Sequence, residues 1–267
     1  MLLLFKRELR ANRKSLLIWS VVMLCLAGVG LGEYSVVLGP TSSFDVGAMM
    51  SLMPHIVLVM FGMGGTNPVS TPEGWYACLY LWCSIVAYLH AAMLGASILS
   101  KEESDKTAEF LFTRPVKRSA VVGGKMLAAA VNVFVVVLIG WLTALAVFGP
   151  NANSALIGQM HVTMLGMFVV SLVFLFVGLC LSAVATGRGK ATQYAAVAIV
   201  ATYFIAVAIE AVGGLEFLDF LSPFRYFDAD RVITQGVEPL YFLLSAALIA
   251  IAGVLTVRLY ARRNLRV

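Results

Sequence analysis

The chain alternates long apolar runs with short polar ones. Apolar stretches at 16–38, 75–99, 126–148, 160–185, 191–212 and 240–257 each approach or exceed the ~20 residues a helix needs to cross a hydrocarbon core. Six crossings return both termini to the same side. Between the first two, Met49 to Gly65 is also apolar, but it is short and interrupted by Pro54 and several glycines. Counting it as a seventh crossing would reverse every later segment, so it is expected to stay outside as an amphipathic or re-entrant piece. A second outer excursion, Gly213 to Pro239, precedes the last crossing and carries Ser222, Pro223, Phe224, Arg225 and Tyr226. The pattern predicts an all-α integral membrane protein with six transmembrane helices, forming a single domain over residues 1–267.

Ahead of the first crossing, Leu2, Phe5 and Leu9 share one helical face, while Lys6, Arg7, Arg10, Arg13 and Lys14 lie mostly elsewhere. That arrangement predicts an N-terminal interfacial helix over 1–15, its basic side directed at anionic lipid headgroups. A secretory signal is the competing reading, since a basic start followed by Leu16–Leu31 has that general shape. Glu8 and the amphipathic order of the basic segment count against it.

Charge sets the orientation. With the N-terminus inside, every Lys and Arg except Arg225 and Arg231 falls on an inner segment, as the bias of inner loops toward basic residues requires. Both termini are therefore expected in the cytoplasm and the chain in the plasma membrane. The net charge of +5 is topological and gives no reason to expect a nucleic-acid partner. A content of 61% hydrophobic and 12% charged residues excludes a soluble domain, where roughly 25% are charged.

Ser100 to Lys125, between the second and third crossings, is the densest charged interior stretch. It cannot lie in lipid, where a charge at the bilayer centre costs at least ~2.5–3.5 kcal/mol. Glu102, Glu103 and Asp105 lead, Arg114, Lys117 and Arg118 follow, and Pro115 stops a helix by constraining Arg114 and removing a donor. Acids first and bases last suit the helix dipole. A short surface helix is expected, with Phe110, Leu111 and Phe112 available for a partner or the bilayer.

The residues Glu102, Glu103, Thr107, Glu109, Leu111, Thr113, Arg114, Pro115 and Arg118, followed by Gly124-Lys125 at the start of the next span, resemble the cytoplasmic coupling segment of permease subunits in the type-2 ATP-binding-cassette exporter family. An element like Ser222-Pro223-Phe224-Arg225-Tyr226 before the last span, and a helix on the cytoplasmic surface at the start, are also similar to that family. The resemblance implies a permease half-transporter whose coupling segment, 101–118, receives a separate ATPase subunit. Coupling contacts are expected at Glu102, Glu103, Lys106, Thr107, Glu109, Phe110, Leu111, Thr113, Arg114, Pro115 and Arg118. It further implies two ATPase copies carrying ATP and Mg, and a second permease subunit, identical or paralogous, pairing to form the path. The expected cargo is amphipathic: a drug, a peptide or a lipid. An ATPase-independent secondary transporter or channel is the alternative, although interrupted helices with mid-membrane charges, its usual marks, are not evident.

Catalysis within the chain finds no support. Neither Gly124-Lys125 nor Gly189-Lys190 completes the GxxxxGK[ST] phosphate loop, so no cofactor is expected here. His55, His90 and His161 are far apart and lack an HExxH partner; Cys25, Cys78, Cys83 and Cys180 form no zinc spacing. Met49, Met50, Met53, Met60 and Met63 around His55, and Met160, Met164 and Met167 beside His161, could in principle hold Cu(I). Packing is the better reading of such flexible side chains, and no metal is assigned. His90, Asn132 and Gln193, in or near spans, are expected at helix interfaces, while Glu33 and Glu210 are expected to be hydrated near the outer surface. Gly28, Gly32, Gly178 and Ser182 form small-xxx-small pairs suited to close helix packing.

Overall fold

Every regular element among the described residues of the computed structural model, 2–34, 46–99, 118–185 and 189–262, is helical. Six helices are long and apolar enough to cross a membrane: α1 (Leu2–Gly32), α4 (Pro72–Ile98), α5 (Arg118–Phe148), α6 (Ser154–Val184), α7 (Lys190–Val212) and α9 (Pro239–Arg262). Three short ones, α2 (Val46–Ser51), α3 (His55–Met60) and α8 (Ala229–Gln235), lie between them. Successive long helices alternate in direction. The helix ends bracketing residues 100–117 and 186–188 therefore share the end at which α1 begins, called here the near end. The connections at 33–71, 149–153 and 213–238 lie at the far end.

Two expectations about boundaries are corrected. The interfacial helix at 1–15 and the span beginning at residue 16 are one continuous helix, Leu2–Gly32, because neither proline nor glycine occurs before Gly28 to break it. Its first turns are nonetheless amphipathic: Lys6, Arg7, Arg10, Arg13 and Lys14 are exposed, whereas Glu8 is buried. Helices α4 and α6 start earlier than their apolar runs. Thr71 caps α4, its hydroxyl accepting from the Gly74 N–H with Pro72 at the first position, and Asn153 caps α6 by accepting from the Leu156 N–H at 2.7 Å.

The bundle is built on α4 and α6. Of the hydrophobic window of α4, 61% of residues are buried inside the protein, against 11% for α1; α1, α7 and α9 line the rim and turn residues such as Leu17, Val197 and Leu243 outward. Without an oil–water difference between helix faces, packing in lipid favours small residues that let backbones approach. At Gly95 and Gly178 that approach is complete: a Cβ on Gly95 would overlap the Leu175 carbonyl oxygen, and one on Gly178 the Ala92 carbonyl oxygen. Ser182, one turn on, is also fully buried. Gly28 and Gly32 face Thr143 and Val147 of α5. Both small-residue pairs thus serve contacts within the chain.

Neither outer excursion crosses. The α2–α3 segment dips into the bundle: the Tyr203 hydroxyl donates to the Met60 carbonyl, the Cys78 thiol donates to the Phe61 carbonyl at 3.3 Å, and Phe61 packs on Trp82. Tyr203 lies nine residues before the end of α7, which is ~14 Å of helix. The 213–238 segment goes deeper. Ser222 donates to the Thr202 carbonyl at 2.7 Å, and Phe224 is wedged among Tyr88, Phe174 and Tyr203 at centroid distances of 5.0, 5.8 and 5.6 Å. Both are re-entrant, and they meet at the far end.

Candidate functional site

Two regions concentrate polar chemistry, one at each end. At the near end, the expected coupling residues Glu102, Glu103, Lys106, Thr107, Glu109, Phe110, Leu111, Thr113, Arg114 and Pro115 lie outside the described residues. Arg118 is the first residue of α5. What the structure does define is the frame on either side. Lys125, two turns into α5 and 1% exposed, donates from Nζ to the Ile98 carbonyl at 2.6 Å. Ile98 ends α4, so its carbonyl is one of the last-turn acceptors left without an intrahelical donor, and a lysine there satisfies both the acceptor and the helix's negative end. The two helices that bracket residues 100–117 are therefore tied to each other at their mouth.

At the far end, the re-entrant segments enclose a polar vestibule of about 320 Å³. One wall is Gly64, Gly65 and Thr66; the other carries Asp228, Asp230, Arg231, Thr234 and Gln235, with Glu210, Glu216 and Arg225 between them. Below it a slot of about 40 Å³ continues inward between Val59, Leu81, Tyr203 and Phe224. At ~10–15 Å³ for each water position, that slot admits no more than a few waters.

The vestibule is organised by Asp219, whose side chain is 2% exposed and accepts from two guanidinium groups. Arg225 Nε donates to Asp219 Oδ1 at 3.0 Å and its Nη1 to Glu210 Oε2 at 2.8 Å; Arg231 Nη1 donates to Asp219 Oδ2 and its Nη2 to Glu238 Oε1 at 2.8 Å. Removing Asp219 would leave two half-buried cations short of a partner, a loss of about 3–5 kcal/mol for a buried pair. Glu238, half exposed, contributes roughly 0–1 kcal/mol as surface pairs do. Burial opposes the charge on Arg225, but Asp228, Glu210 and Asp219 outweigh it and hold the guanidinium's pKa above its usual value. Burial raises the pKa of the Asp228 carboxyl, partly offset by the Arg231 backbone N–H it accepts at 3.0 Å as the N-cap of α8 and by Arg225. Burial likewise pushes Tyr226, which donates to the Phe220 carbonyl at 2.6 Å, up to about 12.

Sequence reasoning missed this assembly. It placed Glu210 near the outer surface, hydrated, without its partner; the structure pairs it with Arg225. The available signal was the density of charge from Glu216 to Glu238, seven Asp, Glu and Arg residues between two apolar spans. Other candidates fall where packing explains them. Met160, Met164 and Met167 are fully buried in the core, and His161 is exposed with Nδ1 accepting from Trp141 Nε1 at 3.1 Å. His90 is buried against Trp19 of α1, centroids 5.3 Å apart, and Asn132 is buried, donating to its own helix at Ala128. Cys78 and Cys83 are buried packing residues, and Glu33 is exposed.

The sequence model of one protein family, described as ABC-2 family transporter protein, matches residues 2–265. No curated protein matches the chain.

Proposed function

Because the chain belongs to the ABC-2 family of transporter proteins and has the six membrane-length helices of a permease, we propose that it is the transmembrane subunit of an ATP-driven exporter. It carries no catalysis of its own in this reading. ATP and Mg are bound and hydrolysed on two copies of a separate ATPase subunit, each docked on the 101–118 segment of one permease. A second permease, identical or paralogous, completes the path in the plasma membrane, with the near end and both termini in the cytoplasm. The cargo is amphipathic, as a drug, peptide or lipid is, in keeping with spans that carry few charges.

One observation carries the coupling part of this reading: the Lys125 tie to Ile98. A lever transmits motion only if it is stiff where it joins the load. Joining α4 to α5 beside the bracketed segment makes a push on that segment a push on both helices, and α4 lies at the centre of the bundle.

Co-purification tests the proposal. The detergent-solubilised chain is isolated with candidate ATPases from its own genome, alongside a Glu103→Arg, Arg114→Glu double reversal. A stoichiometric ATPase that is lost in the reversal supports the reading. Absence of any ATPase, with transport persisting without ATP, replaces it with a secondary transporter.

A further inference from the structure

The two re-entrant segments are anchored separately to the bundle. The first hangs on Tyr203 and Cys78 through the Met60 and Phe61 carbonyls. The second is held by Ser222 on Thr202, by Phe224 among its aromatic neighbours, and by Gln159 of α6, which donates to the Ile233 carbonyl of α8 at 3.0 Å. Among the described residues, three hydrogen bonds from the first segment to the second converge on a single carboxylate. Asp230, in the first turn of α8, accepts from the Thr66 N–H at 2.7 Å, the Asn67 N–H at 2.9 Å and Asn67 Nδ2 at 2.8 Å. Two consecutive backbone N–H groups and a side-chain amide converge on it as on a bound anion, and hydrogen bonds to a charged acceptor are the stronger kind. The backbone at Gly65 passes so close above it that an added Cβ would stand 2.5 Å from Asp230 Cγ, so the fit requires glycine.

These contacts sit where they control access. Gly64, Gly65 and Thr66 form one wall of the vestibule, and Asp230, Arg231 and Thr234 the other. The slot beneath is walled on one side by Val59 of the first segment and on the other by Phe224 of the second. Separating the segments widens both spaces together.

We propose that Asp230 is a latch: its capture of the Thr66–Asn67 turn closes a cap over the far-end vestibule, and release of that turn opens the slot toward the middle of the bundle. The latch joins two elements that are otherwise independently fixed, so opening swings the 62–67 turn without dismantling α8 or α3. The proposal concerns access from the far end and holds whether or not an ATPase drives the chain.

The test is the accessibility of Val59, which lines the slot and is 3% exposed. Val59→Cys is placed in the full chain with Cys25, Cys83 and Cys180 replaced by alanine and Cys78 by serine, whose hydroxyl keeps a donor for the Phe61 carbonyl, reconstituted in nanodiscs and treated with a membrane-impermeant maleimide. With Asp230 present, labelling is slow. Asp230→Ala is expected to raise the rate about tenfold or more, the factor by which losing one charge-assisted hydrogen bond shifts a local opening equilibrium. Gly65→Ala should act in the same direction, and Asp230→Asn, which keeps a side-chain oxygen, should fall between. Ala183→Cys, buried at the other end of the bundle, is the control and should stay slow in every background. An unchanged rate at Val59→Cys in Asp230→Ala overturns the latch. So does an equal rise at Ala183→Cys, which would mean general loosening. Leu81→Cys, another lining position of the slot, repeats the measurement if Val59→Cys does not fold.

Discussion

A carboxylate enclosed by protein at a membrane surface must be paired, hydrogen-bonded or protonated, and the far-end acids divide along those lines. Asp219 is paired twice and Asp230 accepts three donors. Asp228 has one backbone donor for its cap role, and burial raises its pKa. The sign follows from proton binding. A carboxyl with a raised native pKa holds its proton to higher pH in the folded state than in the unfolded chain. Its contribution to stability is therefore greatest at low pH and declines as pH climbs from ~4. Asp228→Asn keeps an N-capping oxygen and removes the titration. The variant should unfold with a flatter pH dependence than wild type between pH 4.5 and 8, and gain relative to it at the alkaline end. Thermal denaturation in detergent across that range reads it directly; a parallel pair of curves would show that folding leaves the Asp228 pKa where it is in the unfolded chain, against the rise that burial causes.

Helices in lipid cannot be sorted into core and rim by apolarity, since lipid tails and buried side chains ask for the same residues. That is why the six spans were readable from hydropathy while their arrangement was not. Polar content was the better guide to the centre: α4 carries Tyr76, Tyr80, Ser84, Tyr88 and His90, all buried, as polar side chains in spans usually face protein. Caps explain most of the boundary differences, because Thr71-Pro72 and Asn153-Ser154 are start signals that an apolar count ignores. The re-entrant depth of 213–238 was out of reach, since it depends on Phe224 finding Tyr88 and Phe174 far away in sequence. Two glycines of α6 test the close approach to α4. Gly178→Ala must push a methyl into the Ala92 carbonyl and should cost about 1–3 kcal/mol, as overpacking does. Gly158→Ala, with nothing within 4 Å of its new methyl, should be neutral or raise stability by up to ~1 kcal/mol, the helix propensity difference. Unfolding midpoints of the two variants compare them within one helix; equal effects would contradict the packing described.

As a whole, the molecule places its charge at its two ends and ties the helices at each. The near end carries the basic collar of α1 and the Lys125 tie beside the bracketed 100–117 segment; the far end carries the Asp219 network and the Asp230 latch. Family membership and six membrane-length helices agree with the class legible from the charged segment and the basic-residue asymmetry. Partner, cargo and direction belong to the proposal, and its central claim is that an ATPase sits on the near end. The most direct test is site-specific photo-crosslinking in cells, with a photoreactive residue at Phe110 or at Phe217, which is exposed on the far end. Mass spectrometry then identifies the captured protein. Capture of a protein bearing a phosphate-binding loop from position 110 and not from 217 is the predicted result. Capture of no such protein from 110, or of the same one from 217, would contradict the account.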